Sequence, residues 1–323
     1  MAGWQISLYF LALWSEGTSS EVLPAAANWT ATGNGQPLVV VTYNLYWWCV
    51  SDEYGNCPQN ADGKGFQGIY NRLQQNGPFD LIGFQECDDV GKIISGSGLA
   101  TSFEYYTPAK GNDAAMAWQH EKFRAIEGPG VHWVARDKYG DRNVNWVRLQ
   151  VVGSNTVIFF ANTHGPLDQC GGKPGKTVAA NYLSAVNQHK KPGDVVVFTG
   201  DFNCGSNQDT MKALSQALEV DATDKSYGGA DHIFSTEGVA VLWHGYSPGS
   251  PSDHQLLKAV LEVKSSGPSP SGCPTPPDNG GCCTTCSANH YCPSDKGCYA
   301  TGQSGCRGGF CPAPDAVQEE VIV

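Results

Sequence analysis

Residues 195–203 read VVVFTGDFN, an apolar run that leads within two residues into an acid, Asp201, and an amide, Asn203. A short β-branched run of this kind reads as a buried strand. Side chains two apart in an extended chain project to the same side, so Asp201 and Asn203 are expected to point together into a cleft. There a carboxylate can orient or deprotonate a water while an amide holds a phosphoryl oxygen. Taken alone, the block is equally readable as a strand followed by an Asp-Phe-Asn turn.

Four more blocks share the same relation to an apolar run: Thr42-Tyr43-Asn44, GFQE ending at Glu86, NTH ending at His164, and Ser252-Asp253-His254 before the run at 256–263. Five blocks in this order point to a metal-dependent phosphoester hydrolase. Glu86 stands beside Asp88 and Asp89, where carboxylates are costly to crowd without a cation. Mg2+, which needs only one or two carboxylates, suits that position, with Mn2+ or Ca2+ as substitutes. Asn44 either adds an amide oxygen near the same ion or is a strand-end turn residue. Imidazoles at strand ends, His164 and His254, can bind a phosphoryl oxygen or protonate a leaving group. Asp231 is a natural carboxylate to orient an imidazole. Arg142 supplies positive charge to phosphate or pairs with Asp137 or Asp141. Lys173 and Lys176 are weaker phosphate candidates.

Period and composition place strands over 37–45, 80–85, 114–119, 131–135, 144–152, 156–162, 194–199, 230–234, 238–243 and 256–263, and helices over 65–75, 175–189 and 208–218. Many strands with a few inserted helices imply an α/β domain, two sheets packed face to face with helices outside, over 37–264. Residues 265–272, SSGPSPSG, have linker composition. A cysteine-rich module follows over 273–312, then a tail over 313–323. Eight of the 13 cysteines lie in that module, which has almost no aliphatic residues, so cross-links replace a core there.

Lys and Arg total 20 against 31 Asp and Glu, a net charge of −11, which argues against broad electrostatic attraction to nucleic acid or anionic membrane. The cysteine density favours disulfides and a secreted protein. An apolar stretch at 6–14 fits a signal peptide and leader over 1–27, although no Lys or Arg precedes it. Asn28-Trp29-Thr30 is a glycosylation sequon. No stretch is apolar for long enough to be a transmembrane helix.

Together the blocks resemble the endonuclease/exonuclease/phosphatase superfamily, the deoxyribonuclease I-like fold, over 37–264. The matching positions are Asn44, Glu86, Arg142, His164, Asp201 with Asn203, Asp231, and Asp253 with His254. The resemblance implies a four-layered α/β sandwich with the site at one rim of two mixed sheets, and hydrolysis by an activated water. It implies Glu86 as principal metal ligand, with Asn44 and Asp253 close to the metal shell. Asp201 would polarise the water, Asn203 and His164 would hold phosphoryl oxygens, and Asp231 would orient His254; the general base is Asp201 or His254. The stretch 105–111, YYTPAKG, has no acid where the nucleases most like deoxyribonuclease I carry a glutamate for their first histidine. The resemblance therefore does not extend to a pancreatic-type mechanism for His164. Tyr227-Gly228-Gly229 also lacks the Trp-rich approach of abasic-site nucleases. Cys87, Cys170 and Cys204 should lie near the rim, with Cys204 bonded to Cys170 or Cys87 and Cys49 to Cys57.

The leading expectation is a secreted nuclease or phosphodiesterase. A phosphoesterase of lipid headgroups or inositol phosphates, sphingomyelinase-like, is the alternative, with Tyr46-Trp47-Trp48 either a membrane-docking loop or a buried cluster. A different class is a non-catalytic secreted protein whose cysteine-rich module binds a glycan or a protein partner through Tyr291, Tyr299 and Phe310.

Overall fold

The computed structural model describes residues 35–50, 65–109, 112–218, 220–223, 228–236, 239–247 and 251–264, and three short strands at 290–292, 297–299 and 311–312. The chain runs β1 (Gly35–Asn44), α1 (Trp47–Val50), α2 (Gly65–Asn76), β2 (Leu81–Gln85), α3 (Val90–Gly96), β3 (Phe103–Tyr106) and β4 (Met116–Gln119). It continues through β5 (Phe123–Asp137), β6 (Gly140–Val151), β7 (Val157–His164), α4 (Gly172–His189), β8 (Val195–Asp201) and α5 (Asp209–Leu218). The domain closes with β9 (Val220–Thr223), β10 (Asp231–Ser235), β11 (Ala240–Ser247) and β12 (Leu256–Lys264).

Two six-stranded sheets result, ordered β11-β12-β1-β2-β4-β3 and β5-β6-β7-β8-β10-β9. Both are mixed: β1 runs parallel to β2 and β7 parallel to β8, and the other neighbours are antiparallel. The apolar runs are continuous because each strand serves two cores. In β1, Leu38 and Val40 join the layer between the sheets, whereas Val39, Val41 and Tyr43 pack outward with Ile69 and Leu73 of α2 and Ile93 of α3. In β8, Val197 faces inward and Val196 and Phe198 lie against Val178 and Tyr182 of α4 and Leu214 of α5. The order of layers is thus helix, sheet, sheet, helix, the expected α/β sandwich. Strands buried on both faces lose the alternation of a half-exposed sheet and read as unbroken hydrophobic runs.

A polar seam crosses the inner layer below the site. Asn162 of β7 donates to the carbonyls of Phe84 and Ala115 at 2.8 Å each, and its oxygen accepts from Gln85 at 2.7 Å and from Thr199 at 3.0 Å. Every hydrogen-bonding atom of this buried amide is satisfied, and the seam ties one sheet to the other.

Four elements of the domain have no counterpart in the sequence expectation, and β5 departs from it in length. α1, α3, β3 and β9 are short, and periodicity over so few residues carries little signal. β5 spans 15 residues where only 131–135 reads as strand. It is an edge strand with register shifts between Ala125 and Glu127, Glu127 and Gly130, and Trp133 and Ala135. Bulges and exposure on an edge erase the alternation that a regular strand shows. The strands β13 (His290–Cys292), β14 (Gly297–Tyr299) and β15 (Cys311–Pro312) form a three-stranded sheet within the cysteine-rich segment. The leader over 1–27, the linker, the tail and a Cys49–Cys57 bond lie outside the described residues, as do the side chains of the cysteine-rich module. Among the described residues no helix is long and apolar enough to cross a membrane.

Candidate active site

The parallel pairs place their strand ends on one rim. Asn44 ends β1 opposite Gln85, the residue before Glu86, and His164 ends β7 opposite Asp201 at the end of β8. Antiparallel β10 begins at Asp231, also opposite Asp201. The chain enters β12 from the same rim through Asp253 and His254. An open cleft of about 420 Å³ is lined there by Glu86, Asp113, Arg142, His164, Asp201, Asn203, Asp253 and His254, with Tyr46, Trp47, Asp88, Tyr139, Asp141 and Leu167 around them.

Asp201 is the hub. Its Oδ1 accepts from the backbone N–H of Asn203 at 2.8 Å, and its Oδ2 accepts from Asn44 Nδ2 at 3.0 Å. The same Oδ2 lies 3.6 Å from His254 Nε2 and 3.7 Å from His164 Nε2. Each imidazole is held by a second carboxylate. His254 Nδ1 is 2.8 Å from Asp231 Oδ2, and His164 Nδ1 is 2.9 Å from Asp113 Oδ2. Burial alone would make both imidazoles less basic. For His254 the carboxylates of Asp201 and Asp231 outweigh it, lifting the pKa to about 10. Asp113, assisted by Asp201, lifts that of His164 to about 9. Asp113, although desolvated, is held below the usual carboxylate range by His164 and Arg142.

The partner of His164 is one that the sequence reading did not name, Asp113. No acid stands in 105–111, yet a carboxylate meets His164 from two residues beyond that window. Its segment is fixed by Cys87 N–H donating to Asp113 O at 3.0 Å and by Asn145 donating to Ala114 O at 2.6 Å. The signal that could have found it is the Asn112-Asp113 pair immediately before the apolar run at 114–118.

The extended-chain argument for Asp201 and Asn203 also needs correction. β8 ends at Asp201, and Asn203 takes a left-handed backbone with φ of 52°. Both residues still line the cleft, but the Asn203 amide donates to Gly165 O at 3.0 Å and so ties the loop after His164 to the loop after Asp201. That approach requires glycine at 165, because a Cβ there would run into the backbone of Phe202. The Cys170–Cys204 disulfide joins the same two loops, one of the two bonds proposed for Cys204. Cys87 is a free buried thiol, its pKa pushed up by burial and by Asp88.

Glu86 follows β2 with φ of 53°, a strained conformation for a residue with a Cβ, costing on the order of 1–3 kcal/mol. Its carboxylate accepts from Asn44 Nδ2 at 3.2 Å and from the backbone N–H of Trp47 at 2.7 Å. The Asn44 oxygen accepts from Tyr46 N–H at 2.9 Å, so Asn44 turns its donors, not a free oxygen, toward the carboxylates. Trp47 also donates from its indole to Asp88 at 2.6 Å, which commits this ring to the site wall. Asp253 is lifted above the usual carboxylate pKa by burial and by Glu86, although His254 opposes the shift. Hard oxygen donors crowded in this way fit a divalent cation, whose charge relieves the crowding. Asp201, Asp231 and His254 also bring ligand atoms within 4.8 Å of one another, a buried group that by distance could hold a metal. Glu86 and Asp253, whose carboxylates line the open cleft, are the other oxygen donors that could hold such a cation. Arg142 lines the cleft and its Nε is bound to Asp137 Oδ2 at 2.9 Å, the ion pair expected as one of its two alternatives. Lys173 and Lys176 are exposed on α4 and do not line the cleft.

A two-sheet sandwich with acids and imidazoles gathered on one rim defines a phosphoester hydrolase. The model of the Endonuclease/Exonuclease/phosphatase family matches residues 41–254, and the chain belongs to that family. Among solved structures, an endonuclease/exonuclease/phosphatase family protein from Bacteroides thetaiotaomicron is similar at 20% identity and a TM-score of 0.55, over 71% of this chain and 98% of that one. A mannosyl-6-phosphatase from the same organism is similar at 20% identity and a TM-score of 0.54, over 69% and 99%. ANGEL2, a 2′,3′-cyclic phosphatase, is similar at 17% identity and a TM-score of 0.53, over 72% and 96%. A search of curated protein sequences gave no significant match.

Proposed function

We propose that the chain is a secreted, divalent-metal-dependent phosphodiesterase that hydrolyses its substrate with an activated water, and that nucleic acid is the leading substrate. The observation that carries the reaction is Asp201 Oδ2, shared by two imidazoles that are each backed by a further carboxylate. With their pKa values raised to about 9 and about 10, His164 and His254 are cationic at neutral pH and act as donors. They hold phosphoryl oxygens, and His254 can return a proton to a leaving group. Asp201 is then the group left to take the proton from water. A cation held by Glu86 and Asp253 supplies charge against the developing oxyanion when bound. Arg142, fixed by Asp137, adds the permanent positive charge the acidic cleft otherwise lacks.

Secretion is supported by the Cys170–Cys204 bond beside the site and by the cysteine density of the C-terminal segment, since disulfides persist in oxidising compartments. The mannosyl-6-phosphatase and the cyclic phosphatase among its structural relatives make monoesters and small cyclic esters the second reading.

Nicking of supercoiled plasmid by oxidatively folded protein, with Mg2+ and with chelator, tests this. Chelator-sensitive nicking is expected, and Glu86→Gln should need more Mg2+ to reach the same rate. Full activity in chelator would sink the metal assignment. No nicking, with hydrolysis of sugar or inositol phosphates instead, would replace the nuclease reading by the monoester or headgroup reading.

A further inference from the structure

Tyr139 sits at the tip of the hairpin between β5 and β6, where Asp137 pairs with Gly140 and only Lys138 and Tyr139 turn the chain. It is 66% exposed, the most exposed large hydrophobic residue among the described ones, and it lines the catalytic cleft. Turn geometry does not demand it. Two-residue turns favour Gly, Asn and Asp, and the positive-φ position here is filled by Gly140, with φ of 136°. Packing does not demand it either, because an aromatic ring left largely in water forgoes most of its burial free energy.

The tip is nonetheless held in place. Asp137 accepts from Tyr139 N–H at 2.8 Å, from Leu167 N–H at 3.0 Å and from Arg142 Nε at 2.9 Å. One nearly buried carboxylate thereby ties the hairpin tip to the loop after His164 and to the cleft arginine. The result is an exposed ring on a fixed base beside the groups that bind phosphate. Lys138 Nζ lies 5.0 Å and Arg142 Cζ 6.0 Å from the ring centroid, so the ring stands among cations suited to an anionic ligand. Asp137, Lys138 and Asp141 surround the tip with charge, which argues against insertion into a membrane. Trp47 borders the same cleft, but its backbone and indole N–H groups are spent on Glu86 and Asp88. The Tyr139 hydroxyl makes no hydrogen bond among the described residues.

We infer that Tyr139 is a stacking platform for a planar ring joined to the phosphoryl group, and hence a specificity-determining residue that selects phosphoesters of nucleosides. The inference rests on the phosphoester reading above and narrows its substrate class. Stacking of a base on an aromatic side chain tolerates any base and needs no hydrogen bond to read it, which suits a cleft whose polar groups are engaged with one another and with phosphate.

The test is equilibrium binding of two probes to the full chain in Mg2+: thymidine 5′-monophosphate, which carries a planar ring, and glycerol 3-phosphate, which carries none. Wild type should prefer the nucleotide by about ten-fold, the scale of one base on one aromatic ring. Tyr139→Ala should lose that preference with glycerol 3-phosphate binding unchanged, and Tyr139→Phe should keep it, which a merely structural role for the tip would not produce. An unchanged preference in Tyr139→Ala, an equal loss for both probes, or no preference in wild type overturns the inference. The plasmid assay run beside it separates the two claims. A Tyr139-dependent preference without hydrolysis would sink the proposed function alone, and hydrolysis without the preference would sink the platform alone.

Discussion

His254 and His164 approach the same oxygen, Asp201 Oδ2, at nearly the same distance, yet the carboxylates behind them are built differently. Asp231 comes from a strand, register-paired with Asp201, and its side chain is 1% exposed. Asp113 comes from the loop between β3 and β4, and its side chain is 30% exposed. In the first pair Asp231 is fixed by sheet hydrogen bonding, while His254 lies just before β12 with its N–H bound to Ser252 Oγ at 3.0 Å. The second depends on a loop anchored by Cys87 and Asn145. One carboxylate oxygen is therefore approached by an imidazole backed from a strand and by another backed from a loop, so the two imidazole–carboxylate pairs should respond differently to perturbation.

The largest expected effect removes what the two pairs share. Asp201→Asn should lower turnover roughly 10³–10⁴-fold, the upper range for a positioned proton acceptor. Steady-state rates at saturating Mg2+ measure it, and a drop of less than ten-fold would move the base role elsewhere.

Asp113→Asn and Asp231→Asn then separate the pairs. Each should cost about 10²-fold in turnover, with the loss in stability larger for Asp231→Asn because that pair is buried more completely. Loss of a hydrogen bond to a charged group costs roughly 1.5–3 kcal/mol, and urea unfolding of the two variants reads the difference. Equal destabilisation would mean that the loop holding Asp113 is as rigid as the strand.

The disulfide sharpens the comparison from another side. Cys170 and Cys204 are 34 residues apart, and loop closure of that size stabilises by about 3–4 kcal/mol. The paired substitution to Ser should lower the melting temperature of the domain and leave activity, assayed well below that temperature, within about ten-fold, since Asn203 to Gly165 still joins the same loops. A loss as large as that of Asp201→Asn would make the bond essential to the site geometry.

The smallest effect is on pH dependence. The folded pKa of His164 is raised from 6.5 to about 9, so its contribution to stability is complete below about pH 6.5 and is lost as pH rises through about 9. Asp113 is shifted down, so its contribution is present above its unfolded value near 3.8 and lost as pH falls below that. The stability gap between wild type and Asp113→Asn should be widest between these limits and should narrow toward pH 10. A gap that is flat with pH would show that the two groups do not form an ion pair.

Glu86, His164, Asp201, Asp231, Asp253 and His254 were legible before any coordinates because each stands next to an apolar run, and strand ends in a two-sheet sandwich converge on one rim. The layer order was legible for the same reason, since a strand buried on both faces leaves an unbroken hydrophobic run. β5 was read only in part, because an exposed edge with three register shifts carries no clean period. Asp113 escaped because loop length, unlike strand register, leaves the reach of a side chain open by several residues. By itself, then, the sequence determined the architecture and the set of chemical groups, through local pattern. The tertiary structure decided the pairings: Asp113 with His164, Asn44 turned donor-first toward Glu86 and Asp201, Cys204 with Cys170, and Tyr139 set at the cleft edge by Asp137. Such pairings join segments far apart in the chain, and their geometry depends on how sheets and loops pack, which no local window of residues encodes.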